Sequence, residues 1–162
     1  MKRTFLTVAV ALGLSVIGLR AQMTHVDIKD AKGNSVGMAM ISAGKPGGIA
    51  IALDVKGLTP GDHAIHLHAT GACEPPFTSA GPHFNPGNKK HGLQSPEGHH
   101  AGDMVNFAVG KDGTSKATIN NAEVTMTTVK GLALMINAAA DDMKTDPGGA
   151  AGDRIACGVV PK

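Results

Sequence analysis

His66 and His68 stand two residues apart in the run Gly61-Asp62-His63-Ala64-Ile65-His66-Leu67-His68. A β-strand turns residues i and i+2 to one face, so two imidazoles there can converge on a single ion. A second group follows within one long stretch: His83, His91, His100 and Asp103. Three neutral ring nitrogens and one carboxylate form the donor set that a tetrahedral zinc ion takes. His63, three residues before His66, falls on the opposite face and reads as structural. His99 adjoins His100 and is poorly placed to reach the same ion, so it is expected to face solvent. His25 lies on the first expected strand with no site to join. Against a defined site stands a blander reading, a surface histidine-rich loop that buffers metal.

The rest of the chain supplies short, strand-like segments to hold these residues. Expected strands are His25 to Ile28, Ser35 to Ile41, Ile49 to Val55, His63 to His68, Val105 to Val109, Ser115 to Ile119, Val124 to Thr128, Leu132 to Ile136 and Arg154 to Val160. Asp30 to Asn34 and Gly110 to Gly113 are turn signals. Short alternating runs between Gly/Pro turns, with no strong helical period, predict an all-β sandwich or barrel. Two stretches break the rhythm, Ala69 to Asp103 and Ala138 to Asp153. Long loops in a compact domain are usually functional or disordered, and the first holds most of the histidines.

Residues 1–21 read as a signal peptide: a basic start at Lys2 and Arg3, an apolar run from Thr4 to Leu19, and small Ala21 at the expected cleavage point. The run is short for a membrane span. Residues 22–162 then form one domain, exported to the periplasm or beyond. Of 15 Lys and Arg, three belong to the leader, so the mature chain carries 12 basic and 13 acidic residues. Nucleic acid and anionic membranes lose their electrostatic argument, and a chain with no Tyr or Trp has little to stack on bases. The two cysteines, Cys73 and Cys157, favour one disulfide in an oxidising compartment.

Several separate segments, in order, resemble the copper/zinc superoxide dismutases of the secreted bacterial branch. They are the Gly61 to His68 run, Gly81-Pro82-His83-Phe84-Asn85-Pro86, Lys90-His91-Gly92, His100-Ala101-Gly102-Asp103 and Gly152-Asp153-Arg154-Ile155-Ala156-Cys157-Gly158-Val159. The resemblance implies an eight-stranded Greek-key barrel or sandwich with two long functional loops. It implies copper held by His66, His68 and His83, and zinc held by His83, His91, His100 and Asp103, with His83 as the bridge. His83 and Arg154 would be the catalytic residues, the second attracting and orienting superoxide. Asp141 would link a copper histidine to a zinc histidine, and Cys73 would pair with Cys157. Oligomeric state varies in the family, so a homodimer stays open.

One position departs from the family. Its fourth copper histidine corresponds to Asn137, and no histidine occurs after His100. A neutral amide is a poor copper donor beside imidazole. The expectation is a complete zinc site beside a weakened copper site, with dismutation reduced or lost. The alternative is a non-catalytic metal-binding protein that buffers or delivers zinc and copper.

Overall fold

The alternation of β3 (Ile49–Lys56) shows how the chain builds its walls. Ile49, Ile51, Leu53 and Val55 are buried, while Ala52, Asp54 and Lys56 are exposed. A computed structural model describes residues 23–45 and 47–162. The expected signal peptide therefore lies outside the described residues. The other strands are β1 (Met23–Asp30), β2 (Ser35–Ala43), β4 (Gly61–His63), β5 (Ile65–His68), β6 (Phe107–Val109), β7 (Thr114–Asn121), β8 (Ala133–Asn137) and β9 (Arg154–Val159). Among the described residues, no helix is long and apolar enough to cross a membrane.

Seven strands form one antiparallel sheet in the order β5-β8-β9-β1-β2-β3-β7, and β4 pairs with β6. That short ribbon joins the two ends of the larger sheet. Only Ala64 separates β4 from β5, the Gly110–Gly113 turn joins β6 to β7, and Ser115 Oγ donates to Ala108 O at 2.6 Å. The sheet thus curls around a core of Val, Ile, Leu and Met, with Phe107 contributing an aromatic ring. The expected strand from His63 to His68 is divided at Ala64, which gives nine strand segments among the described residues.

Two expected elements differ. Val124 to Thr128 is not a strand: Asn121 Oδ1 accepts from the backbone N–H groups of Glu123 and Val124, starting a turn. Thr125 and Thr128 hydroxyls close the following turn, with Val124 and Val129 plugged into the core. Side-chain acceptors here compete with a sheet ladder for the backbone donors. Val105 to Val109 pairs only over Phe107–Val109.

Cys73 and Cys157 are bonded, with Cα atoms 5.7 Å apart and a sequence separation of 84. Cross-linking so long a loop stabilises by about 4.5 kcal/mol in the chain-entropy model. It also fastens the start of the long histidine loop to β9.

Candidate metal centre

β5 is buried on both faces: Ile65 and Leu67 pack in the core, while His66 and His68 face the two long loops. The first loop runs back along this strand. His68 and His83 form an antiparallel bridge, Phe84 N–H donates to Leu67 O at 2.8 Å, and Leu67 N–H donates to Gly102 O at 2.9 Å. His83 and the His100–Asp103 corner are thereby placed beside the pair on β5.

His83, His91 and His100 converge on Asp103 Oδ1. It lies 2.9 Å from His83 Nδ1, 3.1 Å from His91 Nδ1 and 3.3 Å from His100 Nδ1. His83 Nδ1 and His100 Nδ1 are 3.4 Å apart. A tetrahedral ion with bonds of about 2.0–2.1 Å requires donor-to-donor edges of about 3.3 Å, so this set suits zinc. Asp103 Oδ2 is held by the backbone N–H groups of Gly92 and His100, at 2.9 and 3.1 Å.

His66, His68 and His83 form the second group. His66 Nε2 bonds Asp141 Oδ2 at 2.8 Å, and His68 Nδ1 donates to Gly81 O at 2.8 Å. Each ring then has one nitrogen over: His66 Nδ1 and His68 Nε2 are buried without a hydrogen-bond partner, as is His91 Nδ1. Orphaned buried polar atoms are costly and rare. Several in one cluster, each on a ring whose other nitrogen is fixed, fit a metal centre.

Asp141 spans both groups, since it also accepts from His91 Nε2 at 3.0 Å. Asn106, which carried no signal in the sequence, holds it in place: its Nδ2 donates to Asp141 O and its Oδ1 accepts from Asp141 N–H, both at 2.9 Å. Gly149, at φ +69°, lies so close that a Cβ there would overlap Asp141 Oδ1 and sit 2.8 Å from His91 Nε2. A side chain at that position has no room.

Asn137 ends β8 at a bulge that pairs it with Arg154. Its Nδ2 donates to Gly152 O at 3.2 Å, while its Oδ1 is buried and unpartnered. Arg154 is pinned by donation to Phe77 O at 2.7 Å and Gly81 O at 2.9 Å. His68, His83, Asn137 and Arg154 share the wall of a pocket of about 1050 Å³. His63 is buried on the far side, its ring bonded to Asn137 O at 2.7 Å and Thr59 O at 2.8 Å. His99 is half-buried rather than solvent-facing, because its Nδ1 donates to His100 O at 2.9 Å.

In the metal-free protein, burial pushes His68 down to about 3 and His83 down to about 4. Burial also disfavours a charged His91, but the adjacent Asp103 and Asp141 carboxylates prevail and raise it to about 9. Asp103 and Asp141 are held well below the usual carboxylate range, because the histidine bonds outweigh burial. The unfolded chain therefore binds more protons than the folded one as pH falls below about 6.5, since His68 and His83 charge only on unfolding. Stability is lost there by up to about 1.4 kcal/mol per pH unit for each ring. The contribution of His91 has the opposite sign: present below about 6.5 and lost as pH rises through 9. Urea unfolding of chelator-stripped protein is expected to give greatest stability near pH 6.5, falling on both sides. A flat profile from pH 5 to 9 would contradict this balance.

A family model described as copper/zinc superoxide dismutase (SODC) matches residues 35–160. Superoxide dismutase [Cu-Zn] 1 of Aquifex aeolicus is 44% identical over 147 residues, covering 85% of this chain and 86% of that protein. The superoxide dismutase-like protein YojM of Bacillus subtilis is 36% identical over 146 residues, covering 84% and 74%. Among solved structures, a SOD-like protein from Bacillus subtilis matches with a TM-score of 0.78 and 36% identity, covering 85% of this chain and 97% of that one. The Cu/Zn superoxide dismutase from Brucella abortus matches at 0.77 and 30%, covering 86% and 99%. The family uses copper and zinc, and the two clusters are of a kind to hold them. The chain belongs to the copper/zinc superoxide dismutase family.

Proposed function

We propose that this chain is an exported superoxide dismutase whose copper site is weakened at Asn137. In this reading His66, His68 and His83 hold copper, and His83, His91, His100 and Asp103 hold zinc. Two superoxide anions and two protons give dioxygen and hydrogen peroxide. Bound copper would supply the one-electron chemistry by alternating between its two oxidation states. The protein's own residues do the rest. Arg154, fixed by two carbonyls at the wall of the pocket, draws the anion in and orients it. His83 Nε2, the ring nitrogen turned away from Asp103, can pass a proton to the departing peroxide. The residues of the zinc group order the long loop and fix His83.

The observation that carries this reading is the set of unpartnered donors, His66 Nδ1 and His68 Nε2, in a cluster bordering the pocket that Arg154 lines. Asn137 Oδ1 is buried and unpartnered as well, at the position where the family resemblance puts a fourth imidazole. The leader at residues 1–21 and the disulfide support export. The test is to load purified protein with copper and zinc, assay metal content, and follow superoxide decay. Dismutation that depends on retained copper supports the proposal. Zinc retained without copper, and no dismutation, would instead support metal buffering or delivery.

A further inference from the structure

The outward face of β1 and β2 carries side chains that neither the core nor the histidine cluster uses. Met23 is 63% exposed and Met38 42%, and Met40 is half-buried beside them. Strand register gathers them around His25. His25 pairs with Met40, Asp27 with Met38, and Met23 with Ser42, so alternation puts Met23, His25, Asp27, Met38 and Met40 on one surface. Directly opposed residues bring their Cβ atoms to about 4.5–5.5 Å, and diagonal ones to about 7–8 Å. Methionine, with three rotatable bonds, spans such gaps. Ala52 on β3 pairs with Met40 and is small, leaving a shallow pocket of about 380 Å³ beside Met38 and Met40. His25 turns Nδ1 to within 3.6 Å of Asp27 Oδ1, which leaves its other nitrogen for a ligand.

We propose that this face is a surface site for Cu(I), with His25 Nε2 and the thioether sulfurs of Met23, Met38 and Met40 as donors. Thioethers are soft ligands that select Cu(I), whereas zinc favours imidazole, thiolate and carboxylate. Asp27 Oδ1, 3.6 Å from His25 Nδ1, is beyond hydrogen-bond distance and contributes only negative charge beside the cation. A packing role accounts for less: exposed strand positions favour β-branched and aromatic residues, and flexible methionines there bury little. The sequence alone hid this grouping because its members come together only through the β1–β2 register. The site uses no residue of the histidine cluster and does not depend on how Asn137 is read.

The test loads the protein with zinc and copper, then titrates it anaerobically with further Cu(I) against a chromophoric Cu(I) chelator. One additional equivalent is expected. A combined Met23→Leu, Met38→Leu, Met40→Leu variant, which keeps apolar bulk, is expected to lose about tenfold or more in affinity, and His25→Ala less. With methyl-labelled methionine and Ag(I) as a redox-inert probe, the signals of Met23, Met38 and Met40 should move while Met135 stays. Met135 pairs with His66, so a shift there instead reports binding at the histidine cluster and overturns the surface site. No additional equivalent, or wild-type affinity in the triple leucine variant, overturns it too.

Discussion

Replacing Asn137 with histidine is expected to raise copper affinity by about 10- to 100-fold and to raise the dismutation rate with it. The position is prepared for the change. Asn137 Nδ2 already donates to Gly152 O, a bond that one imidazole nitrogen can take over. The other nitrogen would then replace Oδ1, which is buried and lacks a hydrogen-bond partner. An unmet buried acceptor costs on the order of 1–3 kcal/mol, so the exchange removes a penalty as well as adding a donor. The ring should fit, because position 137 borders the large pocket shared with His68 and Arg154. Copper competition titrations and superoxide decay on Asn137→His and the unmodified protein make the comparison. Equal copper affinity and equal rates would show that Asn137 limits neither.

Asp141→Asn is expected to lower affinity at both metal positions, by about 10- to 100-fold each. The carboxylate accepts from His66 Nε2 at 2.8 Å, His91 Nε2 at 3.0 Å and Met143 N–H at 2.6 Å. An amide has one acceptor oxygen, and its NH2 group would face a ring N–H. Either imidazole can escape that clash by moving its proton to Nδ1, the atom it should offer to the metal. The effect on two metals at once distinguishes Asp141 from Asp103, which lies only in the group with His83, His91 and His100 that we propose holds zinc. Parallel zinc and copper competition titrations measure it. Loss at one metal alone would show that the bridge does not couple the two groups.

Much of this centre could be read along the chain because its donors are histidines and acids at recognisable spacings. His66 and His68 share a face by strand geometry, and the His83, His91, His100 and Asp103 group is drawn together as their types suggested. The disulfide followed from an even cysteine count. What escaped were partners chosen by backbone carbonyls and by chain reversal. Nothing in the sequence marks Asn106 as the residue that holds Asp141, since its bonds go to backbone atoms 35 residues away. The Val124 to Thr128 segment has strand composition, but Asn121 captures the N–H groups of Glu123 and Val124 at its start. His99 departs from its expected solvent exposure for the same reason, because its ring donates to a neighbouring carbonyl.

Gly81 O accepts from both His68 Nδ1 and Arg154 Nη2, and Phe77 O, four residues earlier, takes the other end of the guanidinium. The Cys73–Cys157 bond anchors this stretch to the strand that carries Arg154. In the proposed reading, a copper-ligand ring and the cation that would draw in the substrate thus share one acceptor, Gly81 O. Disturbance of the 73–81 segment would be felt as one coordinated fault, in which anion capture and metal geometry degrade together.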